Sequence, residues 1–187
     1  MHNNSPLIHK VRYYVSNHLD LCCSHLVFFA ASTAQELFST INLRLSYMED
    51  VALYKSNNNQ AIEDKERELI VINNASLSAE KQGLNKESVL AFFRAQISAA
   101  KAIQYRYRAD LLSKPTDKEP RNLDTVIRPA LIKLGKDINI ELTQYLRHGG
   151  VFSQQEFKVF ERTLNSRYLT RADKEMLFNA LIEIRLQ

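Results

Sequence analysis

Between residues 37 and 55 the side chains Leu37, Ile41, Arg44, Met48, Val51 and Lys55 recur at steps of four, three, four, three and four. That spacing places all six on one face of an α-helix. A strand, whose faces alternate at every second residue, cannot use it. The same rhythm returns in Phe93, Ile97, Ala100, Gln104, Tyr107 and Leu111. Only four glycines and four prolines occur in 187 residues, too few for the many turns of a sheet protein. The pattern predicts an all-α chain. It also sets a problem, because Arg44 and Lys55 put two full charges on a face that otherwise reads as core.

Local stop and start signals divide the chain. A first long helix is predicted from about 35 to 56, ending at the polar run Ser56-Asn57-Asn58-Asn59-Gln60. A second runs from about 62 to 81, closed by Gly83. Asn85 caps a third, about 86 to 113, with Glu87 in its first turn. Residues 114–122 hold two prolines and read as a loop. A fourth helix spans about 123 to 147, with Pro129 kinking it or marking its true start, and Gly149-Gly150 stops it. Ser153 with Glu156 opens a fifth, and Thr170 a sixth. The expected architecture is a bundle of three to four long helices plus a short C-terminal helical pair, in one domain.

Reactive residues are distributed unevenly. Cys22, Cys23, His2, His9, His18 and His25 all fall in the first 25 residues, and only His148 follows. The main body therefore has no thiol and a single imidazole, which argues against thiol or serine–histidine catalysis and against a zinc site. No metal and no cofactor are expected. Residues 1–34 read as a signal peptide: Lys10 and Arg12 precede the apolar run 26–31, and Ser32-Thr33-Ala34 supplies small residues before Gln35. Asp20, Ser24 and His25 interrupt that run, so an ordinary N-terminal helix is the competing reading. Export to the periplasm or medium follows from the first, leaving residues 35–187 as the mature domain, with a core of about 36–130 and an extension of about 135–187. No stretch approaches the ~20 apolar residues of a membrane span. The net charge of +4 is too small to argue for nucleic acid.

The side chains of Arg44 and Lys55, eleven positions apart, point within about 20° of each other, with Cα atoms about 16 Å apart. Leaning inward, they could close on an object anionic at both ends. The next helix carries Asp64, Arg67, Glu68 and Val71 on one face, and Gln104 adds a neutral amide to the third. Each has a plainer role when taken alone. A long cation on such a stripe usually snorkels to solvent. Asp64, Arg67 and Glu68 make a serviceable exposed ion-pair face, and Gln104 a satisfied core amide.

The segments RLSYMEDVALYKSNNNQAIEDKERE (44–68), LAFFRAQISAAKAIQYRYRADLL (90–112) and LDTVIRP (123–129) resemble the AroQ-type chorismate mutases, and within them the secreted, all-helical gamma subclass. The resemblance is strong from about 36 to 112 and loose towards the C-terminus. It implies the Claisen rearrangement of chorismate, a dicarboxylate, to prephenate. It implies Arg44 and Arg128 as carboxylate anchors, Arg67 as a further arginine near the substrate, and Lys55 and Gln104 as donors to the ether oxygen. Lys55, Gln104 and Arg44 would be the catalytic set, with Glu68, near Asp64, meeting the ring hydroxyl. Ala100 stands where relatives often have Ser or Thr, and Ala61 replaces a proline usual before Ile62-Glu63-Asp64. A homodimer with a complete site in each chain is also implied.

Three rivals accompany that reading. The same framework serves isochorismate pyruvate lyases, which release pyruvate. A secreted helical binding protein with an inert pocket is a second. The third, nucleic-acid binding through Tyr105, Arg106, Tyr107 and Arg108, is weak, because these four fan out over more than one helix face.

Overall fold

A computed structural model describes residues 33–187, so the expected leader lies almost wholly outside the described residues, along with both cysteines and four histidines. Those residues hold seven α-helices: α1 (Ala34–Ser46), α2 (Met48–Asn57), α3 (Lys65–Gln82), α4 (Lys86–Ser113), α5 (Arg128–Arg147), α6 (Phe157–Thr163) and α7 (Arg171–Ile182). No strand occurs among them; Leu84 and Leu186 form an isolated antiparallel bridge. None of these helices is long and apolar enough to cross a membrane.

Most boundaries follow the local signals. The Asn85 side chain accepts from Ser88 N at 3.0 Å, and Gly83 ends α3 in the left-handed conformation at φ 89°. Ser153 with Glu156, and Thr170 with Asp173, form reciprocal capping boxes. Two boundaries differ from expectation, and a third resolves the choice left open at Pro129. The first long helix is interrupted at Tyr47, where the Ser46 hydroxyl donates to the Leu43 carbonyl at 2.7 Å and competes with the backbone ladder. The second helix starts at Lys65 rather than 62, because the Asp64 side chain caps it by accepting from Arg67 N at 3.0 Å. Before α5 lies a π-helical turn, Leu123–Ile127, capped by Asn122; Pro129, which has no N–H to donate, then sits in the first turn of α5.

α4 is the central post, packed by α2, α3 and α7, while α1 lies against α5 and α6. Its 28 residues give a rod about 42 Å long. The C-terminal helices belong to the same compact unit, Ala31–Gln187. Phe38 of α1 meets Phe160 edge-on at 5.1 Å and Phe178 at 6.3 Å, and all three are essentially unexposed. Aromatic contacts of this kind add about 0.5–1.5 kcal/mol each beyond area burial. The chain end is tied back by Asn85 N to Arg185 O (2.8 Å) and Gln187 N to Gly83 O (2.9 Å). Tyr107 of α4 is buried edge-on against Tyr168, and Arg106 pairs with Asp173 of α7. Half of the tyrosine–arginine set, Arg106 and Tyr107, thus holds Tyr168 and the first turn of α7 on α4.

Candidate active site

α2, α3, α4 and α5, with Arg44 from the last turn of α1, line a cavity of about 250 Å³. That lies just under the roughly 300–1,000 Å³ range of drug-sized sites and suits a small metabolite. All eight residues selected from the sequence line it: Arg44, Lys55, Asp64, Arg67, Glu68, Ala100, Gln104 and Arg128. The break at Tyr47 does not separate Arg44 from Lys55. Six cations and two carboxylates face the space, the others being Lys101 and Lys136.

Arg44 is buried, at 6% exposure, and has no ion pair among the described residues. Its Nη1 donates to the Gln96 side-chain oxygen at 3.2 Å, and its Nε is buried without a partner. Cζ stands 6.0 Å from the Phe93 ring centroid. Burial alone pulls the Arg44 pKa down to about 10. Lys55, at 9% exposure, donates to the Ile62 carbonyl at 2.7 Å, which leaves two N–H directions free. Burial pushes its pKa below the ordinary lysine value; Asp64 and Glu68 oppose that shift, and Arg128 and Arg108 add to it. Two poorly compensated cations therefore share one cavity.

Gln104, at 6% exposure, donates Nε2 to the Ala100 carbonyl at 3.2 Å. Its second N–H meets only the Met48 sulfur, at 3.7 Å, a weak acceptor that a ligand oxygen can displace. Turning the amide over would set its oxygen against that carbonyl, so this orientation is the favourable one. Ala100 contributes backbone and no hydroxyl. Glu68 binds Lys101 through Oε2 at 3.2 Å, while its Oε1 is buried and unpartnered, an acceptor awaiting a donor. Lys101 also pairs with Glu63 at 3.4 Å, pinning the 58–64 segment to α4. The Arg67 side chain has no hydrogen bond or ion pair among the described residues. Arg128 is partly exposed and pairs with Asp124 one turn earlier. Asp64 reaches the cavity, yet its side chain is occupied as the α3 cap.

Two features escaped the sequence reading. Gln96, completely buried, lies in the stripe Phe92, Gln96, Ala99, Ile103, so the signal that picks out Gln104 was also present there. Asp50 of α2 is buried and binds Lys118 at 2.6 Å and Arg121, whose guanidinium lies 4.2 Å from the Tyr47 ring centroid. This knot straps the 114–122 loop to α2 just before Leu123 and Arg128 reach the cavity. Nothing in the sequence marks Asp50 for a loop some 70 residues away. Among the described residues no group of histidines, cysteines and carboxylates could hold a metal.

The sequence model described as chorismate mutase type II matches residues 32–105. A secreted chorismate mutase from Yersinia pestis is 43% identical over 148 residues, 79% of each chain. A monofunctional chorismate mutase from Enterobacter agglomerans is 35% identical over 169 residues, 88% of this chain and 92% of that one. The crystal structure of secreted chorismate mutase from Yersinia pestis superposes with a TM-score of 0.76 at 40% identity, covering 81% of this chain and 98% of that one. The chorismate mutase from Burkholderia phymatum gives 0.63 at 26% identity, over 78% and 91% of the two chains.

Proposed function

The chain belongs to the chorismate mutase type II family, and we propose that its cavity converts chorismate to prephenate by folding the dianion into its reactive shape. The supporting observation is the convergence of buried, unpaired Arg44, buried Lys55 and the half-free amide of Gln104 on one space. A cation out of water is costly unless an anion meets it, and a dicarboxylate supplies that anion at both ends.

Arg44 and Arg128 anchor the carboxylates, with Arg67 adding positive charge beside them. Lys55 and Gln104 approach the ether oxygen from opposite sides, and Glu68 Oε1 accepts from the ring hydroxyl. The reaction is unimolecular: one C–O bond breaks, one C–C bond forms, and no proton is transferred. The work is to hold the side chain over the ring in a compact chair and to stabilise negative charge growing on the ether oxygen. A lysine ammonium and an uncharged amide do this without titrating near neutrality, which fits a body with a single histidine.

The test is chorismate consumption by protein starting near Gln35, with product analysis. Prephenate without pyruvate supports the mutase, and stoichiometric pyruvate would mean a lyase. Losing one aimed donor typically lowers turnover by ~10²–10³, so Lys55→Ala should lose that much kcat; wild-type kcat in that variant would refute the assignment. Export and a homodimer complete the proposal. N-terminal sequencing of exported protein tests the first, and sedimentation of the mature chain the second.

A further inference from the structure

We infer that Gln96 is a positioning residue for Arg44: a neutral acceptor that aims the guanidinium into the cavity without cancelling its charge. The inference rests on the reading of Arg44 as a carboxylate anchor. Gln96 sits on α4, one turn past Phe93, and is 0% exposed. It does not line the cavity, so it acts through Arg44 rather than on a ligand. Its oxygen makes the one side-chain hydrogen bond that Arg44 has among the described residues, at 3.2 Å across 52 residues of sequence. The Phe93 ring, 6.0 Å away, attracts the cation but sets its direction loosely. The orientation of the amide is dictated, since its NH₂ turned towards a guanidinium would oppose donor to donor.

This arrangement is unfavourable for the fold taken alone. With its oxygen on Arg44, the Gln96 Nε2 is buried and unpartnered. An apolar side chain of similar volume would remove that unmet donor, at the cost of leaving an Arg44 N–H without its acceptor. What glutamine offers is an acceptor that is not a carboxylate. A glutamate would bind the guanidinium as a charge-assisted, doubly hydrogen-bonded pair. Arg44 would then be compensated within the protein, and an incoming carboxylate would have to compete for it. Neutrality at position 96 preserves the attraction, and the hydrogen bond preserves the aim.

The experiment compares Gln96→Glu, Gln96→Met and Arg44→Met in the full chain, by steady-state kinetics on chorismate and by thermal unfolding. Gln96→Glu should unfold no earlier than wild type while its KM rises roughly tenfold or more. Gln96→Met removes the unmet Nε2 but strands an Arg44 N–H, so it should unfold at or somewhat below the wild-type temperature, with KM raised about three- to tenfold and kcat changed less, since anchoring serves ground and transition states alike. If Arg44→Met raises KM and both Gln96 variants keep the wild-type value, Gln96 is core filling and the inference falls while the anchor reading stands. Unchanged KM in Arg44→Met would overturn both. Should Gln96→Glu fail to fold, the near-isosteric methionine variant carries the test.

Discussion

Replacing Arg44 by methionine should make the empty protein no less stable, and this is the sharpest consequence of a buried, unpaired cation. Transfer of the guanidinium into its site lowers its pKa from the ordinary arginine value to about 10, with burial as the cause. At about 1.4 kcal/mol per pH unit, that is a penalty on the charged form of about 3 kcal/mol. The sign is fixed: a cation whose folded pKa lies below its unfolded value penalises folding at every pH under the folded pKa, so the full penalty applies at pH 7. Methionine fills much of the stem volume without the charge. The opposing term is the Gln96 oxygen left without its donor, about 1–3 kcal/mol. The net change runs from roughly zero to a gain of about 2 kcal/mol. For a chain of this size that is a rise in Tm of up to roughly 4–8 °C. Adding Gln96→Met removes the orphaned acceptor and should recover more of the 3 kcal/mol. At the same time kcat/KM for chorismate should fall by roughly 10², the value of a lost charge-assisted anchor. The assay is thermal unfolding by far-UV circular dichroism at pH 7, in parallel with chorismate consumption. An ordinary broken ion pair would instead destabilise by about 3–5 kcal/mol. A loss of that size, or wild-type kcat/KM in a stabilised variant, would refute the claim that the site is uncompensated for the sake of its ligand.

Gln104→Glu should move the activity optimum to acid, where the protonated carboxyl can still donate to the ether oxygen; unchanged activity at neutral pH would exclude that contact. Wild-type kcat/KM should be flat near neutrality and decline on the alkaline side earlier than an ordinary lysine would require, because the Lys55 pKa is lowered by burial; a pH–rate profile checks both limbs. At Asp50, burial pushes the carboxyl pKa up, but hydrogen bonds from Lys118 and Arg121 outweigh it and hold the pKa below the usual range. Its contribution to stability is therefore present above the unfolded value near 4 and is lost as pH falls through the folded one. Asp50→Asn should cost about 1–2 kcal/mol at pH 7, shrink the acid-induced loss of stability, and raise KM by loosening the loop before Arg128; urea unfolding at pH 7 and pH 3 with chorismate kinetics would show it.

Helix class, the caps at Asn85, Ser153 and Thr170, the stop at Gly83 and the shared face of Arg44 and Lys55 were all decided by sequence, because each depends on residues within one or two turns of one another. Within a single helix the 3.6-residue period fixes where a side chain points, so charged residues on an apolar stripe could be read as a site directly from spacing. What lies at the other end of such a side chain was decided only by tertiary packing. The seating of α6 and α7 depends on Phe160 and Phe178 finding Phe38 more than 120 residues away. The roles of Gln96 and Asp50 exist only once α1 meets α4 and the 114–122 loop folds onto α2. Burial gives those contacts their energy, since a neutral amide beside an exposed arginine does almost nothing, and the same amide in a dry interior determines where a charge points. Burial is a property of the assembled bundle and of no single helix.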